Sequence, residues 1–303
     1  MWKIVSQFCD YFPCPKFAPP PILGDMEAPI IFYSWQSDSS SANNRNFIGS
    51  RLDSIAKRAS AKLGLPDGLI IDRDTKGVPG SPDIAATIFD KIESSAVFVA
   101  DVTFVGESFT KPREQPTAPA PAQPTAAVAV PACEPTKPKK LPNPNVMVEL
   151  GYALNSLGPE RLVLVMNTAY GPVEDQVFDL KSRRFPVEYH LDDKSDRAAV
   201  KVAFEGKLLN RIANALNSSH TAAARALRRL NEDCLRLIEA TKALQAFPDK
   251  TAAECGLGDF RATISRLLDL ELIFTDVNPE TKCYSYHWTY IGELVKAAVL
   301  HRR

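Results

Sequence analysis

No apolar run in the chain approaches the roughly 20 residues a membrane-spanning helix needs. The first 27 residues also lack a basic start followed by a clean apolar stretch, so they read as an N-terminal extension and not as a leader. Cysteine is sparse: six residues (Cys9, Cys14, Cys133, Cys234, Cys255 and Cys283) are scattered without CxxC pairing, which excludes a disulfide scaffold and implies a reducing, cytosolic compartment. Histidine is rarer still. His190, His220, His287 and His301 show no metal-ligand spacing and there is no HExxH, so a metal enzyme is not expected. Neither GxxxxGK[ST] nor GxGxxG occurs, and the glycine-bearing GVPG at 77–80 lacks a following Lys-Ser/Thr and reads as a turn. Charge of one sign is missing too: 36 Lys and Arg balance 36 Asp and Glu, leaving no global field toward nucleic acid or an anionic membrane.

What is present is an ordinary globular balance, 45% hydrophobic and 24% charged, in a chain of 303 residues, long enough for two domains. APIIFYSW (28–35) is a short apolar, aromatic and β-branched run that predicts a buried strand. Phe47, Ile48, Leu52, Ile55, Ala56 and Ala59 then recur at helical spacing, predicting a helix to about Leu63. GLIID (68–72), the loop RDTKGVPGSPD, the helix IAATIFDKIESS (84–95) and the strand AVFVADVT (96–103) follow.

Strands alternating with helices predict an α/β fold, a doubly wound parallel sheet in which functional residues gather at the carboxyl ends of the strands. Ser34, Asp72 and Asp101 fall there. Residues 104–142 are rich in Pro, Ala and Thr without periodicity and read as an extended or disordered insertion. Order resumes with NPNVMVELGYALNSLG (143–158), a helix with Pro144 in its first turn, and the strand RLVLVMN (161–167). FDLKSRRFPVEYHL (178–191) ends the sheet, closing a domain at 28–192, and residues 193–217 form a connecting amphipathic helix.

The last part, 218–303, has another rhythm: helices around 223–244, 251–255 and 259–270, a hairpin across an Asn-Pro turn, and a final helix. That order resembles a winged helix-turn-helix. It carries 12 Lys/Arg against 11 Asp/Glu, a poor footprint for a DNA reader, so protein interaction or dimerisation is favoured over DNA.

The sharpest chemical element is Asn143-Pro144-Asn145-Val146-Met147-Val148-Glu149-Leu150-Gly151-Tyr152-Ala153. On a helix Glu149 shares a face with Val146 and Ala153, beside an apolar stripe. Taken alone it is either a charge at the edge of that stripe or a carboxylate held for chemistry. Its neighbours resemble the segment that carries the catalytic glutamate of TIR (Toll/interleukin-1 receptor) domains of the enzymatic, bacterial kind, and of the related nucleoside deoxyribosyltransferases. The resemblance covers about 30–190 without the insertion. IIFYSWQSD is similar to the first TIR strand and its loop, Asp74 to Asp83 with Pro79-Gly80 to the BB loop, and IESSAVFVADVT to the third strand. Asn-Pro-Asn stands where the family usually has Ser or Cys ahead of the glutamate.

The resemblance implies cleavage of the nicotinamide N-glycosidic bond of NAD, with NAD as substrate and no cofactor, and Glu149 acting electrostatically or as a transient nucleophile. It implies a substrate pocket near Ser34, Trp35, Ser37 and Asp38, and homo-oligomeric assembly through Asp74, Pro79, Gly80 and Ser81. An effector role in bacterial anti-phage defence follows from the resemblance alone. For several residues two readings stay open. Trp35 is a ring-stacking or a packing residue. Arg45 is a phosphate ligand or an exposed helix-start arginine. Asp72 and Asp101 bind substrate or cap loop amides, and Asn145 orients a ribose or caps a helix. A different class of function, a non-catalytic nucleotide-sensing or scaffolding protein, is separated from the enzyme by its indifference to loss of Glu149.

Overall fold

Along the chain, β1 (Ile30–Ser34) leads through α1 (Arg45–Lys57) and the short α2 (Ala59–Leu63) to β2 (Ile70–Asp72), then α3 (Ile84–Ser94) and β3 (Val97–Asp101). A strand pair, β4 (Phe104–Ser108) and β5 (Lys139–Pro142), precedes α4 (Pro144–Ser156), which feeds β6 (Leu162–Asn167) and then β7 (Val187–Tyr189). These positions come from a computed structural model, which describes residues 28–63, 65, 68–73, 83–108, 138–177, 186–277 and 283–300. Five strands form one all-parallel sheet in the order β2-β1-β3-β6-β7. The protein is α/β with a doubly wound parallel sheet, as the alternation predicts.

Strand periodicity divides the core between the two faces of this sheet. Ile31 and Tyr33 of β1 and Val97 and Val99 of β3 pack with Ile48, Leu52 and Ile55 of α1. Phe32 of β1 and Phe98 and Ala100 of β3 point the other way, onto Ile92 of α3 and Val146, Leu150 and Ala153 of α4. Phe32 and Phe98 stack with ring centroids 6.0 Å apart. Because both faces are covered, the strands are continuous apolar runs, which is why they are legible without alternation.

Three boundaries differ from expectation. The helix expected to run to Leu63 breaks at Arg58, whose side chain turns to the carboxylate of Glu205. The ends of the proline-rich insertion are paired: β4 and β5 form an antiparallel two-stranded ladder, and the segment between them lies outside the described residues. The helices expected at 195–217 and 223–244 are instead one helix of 31 residues, α5 (Arg197–Leu227), followed by α6 (Glu232–Ala240). No Gly or Pro interrupts SSHTAAARAL, and Ser219 and Thr221 donate back to the carbonyls of Ala215 and Asn217, so their hydroxyls are accommodated within the helix.

Beyond α6 come β8 (Ala246–Pro248), α7 (Asp249–Glu254), α8 (Phe260–Asp269), β9 (Ile273–Val277), β10 (Tyr284–Trp288) and α9 (Tyr290–Leu300). The expected hairpin is β9 and β10, and β8 joins it to make an antiparallel sheet in the order β8-β10-β9. The Asn-Pro turn lies outside the described residues. Phe204, Leu208 and Ile212 of α5 pack on the α1 face of the main sheet, while Leu216, Ala223 and Ala226 continue the same core toward Leu237 of α6 and Leu294 and Val295 of α9. Helix α9 approaches so closely that a Cβ on Gly292 would stand 1.9 Å from the Leu272 carbonyl oxygen, so only glycine fits there. An ion pair of 2.8 Å between Arg51 and Glu205 ties α1 to α5. No described helix is long and apolar enough to cross a membrane.

Candidate functional site

The chain leaves β1 for β2 on one side and reaches β3 on the other, so the strand order reverses between β1 and β3. Helix α1 covers one face there and α3 the other, and in open α/β sheets such a reversal is where a crevice forms outside the carboxyl ends of the two strands. Ser34 ends β1, in register with Ala100, and Asp101 ends β3 one residue further on. By strand alternation Ser34 points toward the α4 face and Asp101 toward the α1 face.

Glu149 reaches this crevice from α4. The helix is started by Asn143, whose Oδ1 accepts from the backbone N–H of Asn145 (2.9 Å) and Val146 (3.2 Å), with Pro144 in the first turn. Val146, Leu150 and Ala153 anchor the helix in the core and hold Glu149, half-buried, at the edge of their stripe. Burial raises the Glu149 carboxyl pKa, and the neighbouring Ser34 hydroxyl partly opposes the rise. The contact is loose: Ser34, 2% exposed, has its Oγ buried without a partner in hydrogen-bond geometry. Ser34 and Glu149, 115 positions apart in sequence numbering (149 − 34), are thereby brought together.

The loop after β1 is locked to the start of α4. Gln36, buried and unremarked in the sequence, accepts at Oε1 from the backbone N–H of Asp38 (2.7 Å) and Ser39 (3.0 Å). Asp38 in turn accepts from Asn143 Nδ2 at 2.6 Å. One asparagine therefore caps the catalytic-candidate helix and holds the loop beside it. Of the two readings of Asn145, helix capping belongs to Asn143, and Asn145 itself is exposed. Ser37 is also exposed on this loop. Trp35 is half-buried against the core, and the Arg45 guanidinium lies 4.7 Å from its ring centroid, so these two candidates form one stacked unit.

Asp101 is fully buried. Its Oδ1 accepts from the backbone N–H of Thr103 (3.1 Å), the loop-capping reading, while Oδ2 has no hydrogen-bond partner. Burial pushes its pKa up to about 6, against the opposing pull of Thr103 and of the Gln36 side chain. The Tyr33 hydroxyl, also buried and unpartnered, is held well above the usual tyrosine range by burial and by the Asp101 charge. Three unpartnered polar atoms thus gather at the ends of β1 and β3, where buried polar groups are normally satisfied.

The remaining candidates fall elsewhere. Asp72 ends the edge strand β2, on the far side of β1 from the crevice, and accepts from Lys91 Nζ (3.0 Å) and the backbone N–H of Arg73 (2.7 Å). Asp74, Pro79, Gly80 and Ser81 lie outside the described residues. A polar network at the carboxyl ends of β6 and β7 was not foreseen. Asn167, buried at the end of β6, donates to Asn44 Oδ1 (3.2 Å) and the Leu191 carbonyl (2.9 Å), and the Tyr189 hydroxyl donates to the Asn43 carbonyl (3.1 Å). The available signal was an asparagine closing the apolar strand LVLVMN. Among the described residues no group of three or more His, Cys, Asp or Glu side chains stands where it would hold a metal ion.

Chemically, the crevice offers a half-buried carboxylate beside a serine hydroxyl, a second buried carboxyl on the opposite face, and a cation-backed indole at the rim. Such a set suits a ligand that presents hydroxyls and developing positive charge to Glu149 and a flat ring to Trp35. No protein-family model, curated protein or solved structure matches the chain.

Proposed function

We propose that the protein is a TIR-type NAD glycohydrolase whose catalytic carboxylate is Glu149. The observation that carries this reading is the meeting of Glu149 with Ser34 at the strand-order reversal, among buried polar atoms that have no partners. In the reaction the bond between ribose C1′ and the nicotinamide nitrogen breaks. Its electron pair leaves with the nicotinamide, which departs as a neutral base and needs little acid assistance. Positive charge builds on the ribose, and an ionised Glu149 stabilises it through a short, poorly screened path. Water then adds at C1′ and releases its proton, giving ADP-ribose.

Ser34 favours the ionised form of Glu149 by partly offsetting the rise due to burial. Trp35, backed by Arg45, supplies a face for an aromatic ring of the substrate, and Asp38, held by Asn143, accepts from a ribose hydroxyl. Activity requires several copies to assemble; the exposed Ile84 of α3 and Val148 of α4 are apolar surface available to a neighbour. The C-terminal part serves as a winged-helix-like module that contacts a protein partner, and the whole acts as an effector of bacterial anti-phage defence.

A non-catalytic reading, in which the crevice senses a nucleotide and relays it, is favoured by one feature: α5 runs from the crevice loop to the C-terminal module without a break. Product analysis separates the two. Concentrated protein incubated with NAD is expected to yield equimolar nicotinamide and ADP-ribose. Saturable NAD binding with no product would favour the sensor.

A further inference from the structure

A groove of about 490 Å³ opens at the opposite edge of the sheet, between the turn that enters β6, the middle of α5 and the start of α9. Its polar anchor is Arg161, which is 3% exposed although it carries a full charge. Arg161 Nε donates to the Leu157 carbonyl (2.9 Å) and Nη1 to the Ser95 carbonyl (3.4 Å), and it makes no ion pair with any described residue. Burial lowers its pKa to about 10, with the charge of Glu271 opposing from a distance. A desolvated guanidinium that hydrogen-bonds only to carbonyls, with Glu271 and Tyr290 acting on it only at longer range, is costly, and an anion in the groove offers it a closer counter-charge.

The walls narrow the chemistry of that anion. Arg225 adds a second guanidinium at the rim, which favours a dianion over a carboxylate. Asn217, Ser218 and Thr221 present an amide and two hydroxyls along α5, suited to a hydroxylated body. Glu160 and Glu271 also line the groove, and their charges disfavour a ligand with more than one phosphate group. Glu271 holds this position with φ at 57°, a left-handed conformation that a non-glycine residue adopts at a cost. The volume lies within the usual range for small-molecule sites.

We propose that this groove binds a small phosphate monoester with a hydroxylated body, of the sugar-phosphate class, with its phosphate on Arg161 and Arg225 and its hydroxyls on α5. The site is separate from the crevice at the carboxyl ends of β1 and β3. A single helix joins them: at its other end α5 donates from Arg197 to the Ala42 carbonyl (3.0 Å) and Asn43 Oδ1 (2.6 Å) of the crevice loop.

The test is calorimetric titration of the full chain with ribose 5-phosphate, and separately with inorganic phosphate and with ribose. Ribose 5-phosphate is expected to bind at one site per chain, more tightly than either fragment. Arg225→Glu and Thr221→Phe, both at exposed positions, are expected to weaken it roughly tenfold or more, and Arg161→Gln to abolish it. Glu149→Ala is expected to leave it unchanged, which distinguishes this groove from the crevice. Absence of saturable binding, or binding that survives both exposed-site substitutions, would overturn the proposal. So would inorganic phosphate binding as tightly as the sugar phosphate, because the body would then contribute nothing. If Arg161→Gln does not fold, the two exposed-site variants decide the matter.

Discussion

The Ser34 hydroxyl stands beside the Glu149 carboxylate at the carboxyl end of β1, and it counteracts part of the rise that burial imposes on the glutamate's pKa. The proposed activity on NAD requires the ionised carboxylate, so the rate is expected to climb with pH through that raised pKa. Ser34→Ala removes the counteracting hydroxyl. The acid limb of the pH–rate profile then moves to higher pH, and kcat/KM on that limb falls by up to roughly tenfold, about 1.4 kcal/mol. A profile that does not move would detach Ser34 from Glu149.

Asp101 gives a prediction about stability. Its folded pKa of about 6 lies above the ordinary carboxyl value of about 4, so the folded state holds the proton more tightly. The contribution is therefore fully present below about pH 4 and is lost as pH rises through about 6, amounting to about 3 kcal/mol. Asp101→Asn removes the titrating group. Urea unfolding midpoints of the variant are expected to change less between pH 4 and 7 than those of the parent, and to match or exceed the parent at pH 8. An unchanged slope would mean that Asp101 is not the group responsible.

Asn143 both caps α4 and holds Asp38. Asn143→Ala is expected to cost about 1–2 kcal/mol of stability through the lost cap and the lost bond to a carboxylate. It should also raise KM, because the loop beside Glu149 is no longer held. Asp38→Asn loses the charge but keeps an acceptor, so it is expected to preserve most of the stability. Chemical denaturation and steady-state kinetics on both variants check this.

Gly292→Ala addresses the packing of α9 within the C-terminal part of the chain. The added Cβ meets the Leu272 carbonyl oxygen and cannot be relieved by a rotamer change, so a loss of roughly 1–3 kcal/mol is expected. Because α5, α9 and the main sheet share one core, the thermal transition should shift as a whole. Separate transitions for the two parts would contradict a shared core.

Much of this arrangement is legible in the residues themselves. The strands are short apolar runs, the helices carry apolar stripes, and the rule that places function at strand ends picks out Ser34, Asp72 and Asp101, while Glu149 stands out by its place on an apolar helix and the resemblance of its neighbours. Strand order is not legible locally. Asp72 and Asp101 end their strands alike, yet β2 is an edge strand and β3 adjoins the reversal, so one aspartate pairs with Lys91 and the other faces the crevice side. The Asn44–Asn167 contact depends on pairing across 123 positions. Arg161 reads in sequence as a charge flanking a strand, and only the packing of the C-terminal part makes it buried. Helix α5 outran its expected end because nothing local in an alanine-rich stretch stops a helix.

The most direct test of the catalytic assignment is nicotinamide release from NAD by concentrated protein, with a crowding agent to favour assembly, alongside Glu149→Ala. The account predicts release by the parent and a loss of at least about a hundredfold in the variant, with the thermal transition retained. Equal release by both proteins would contradict the role of Glu149, and release by neither, under conditions where the parent binds NAD saturably, would contradict the enzyme.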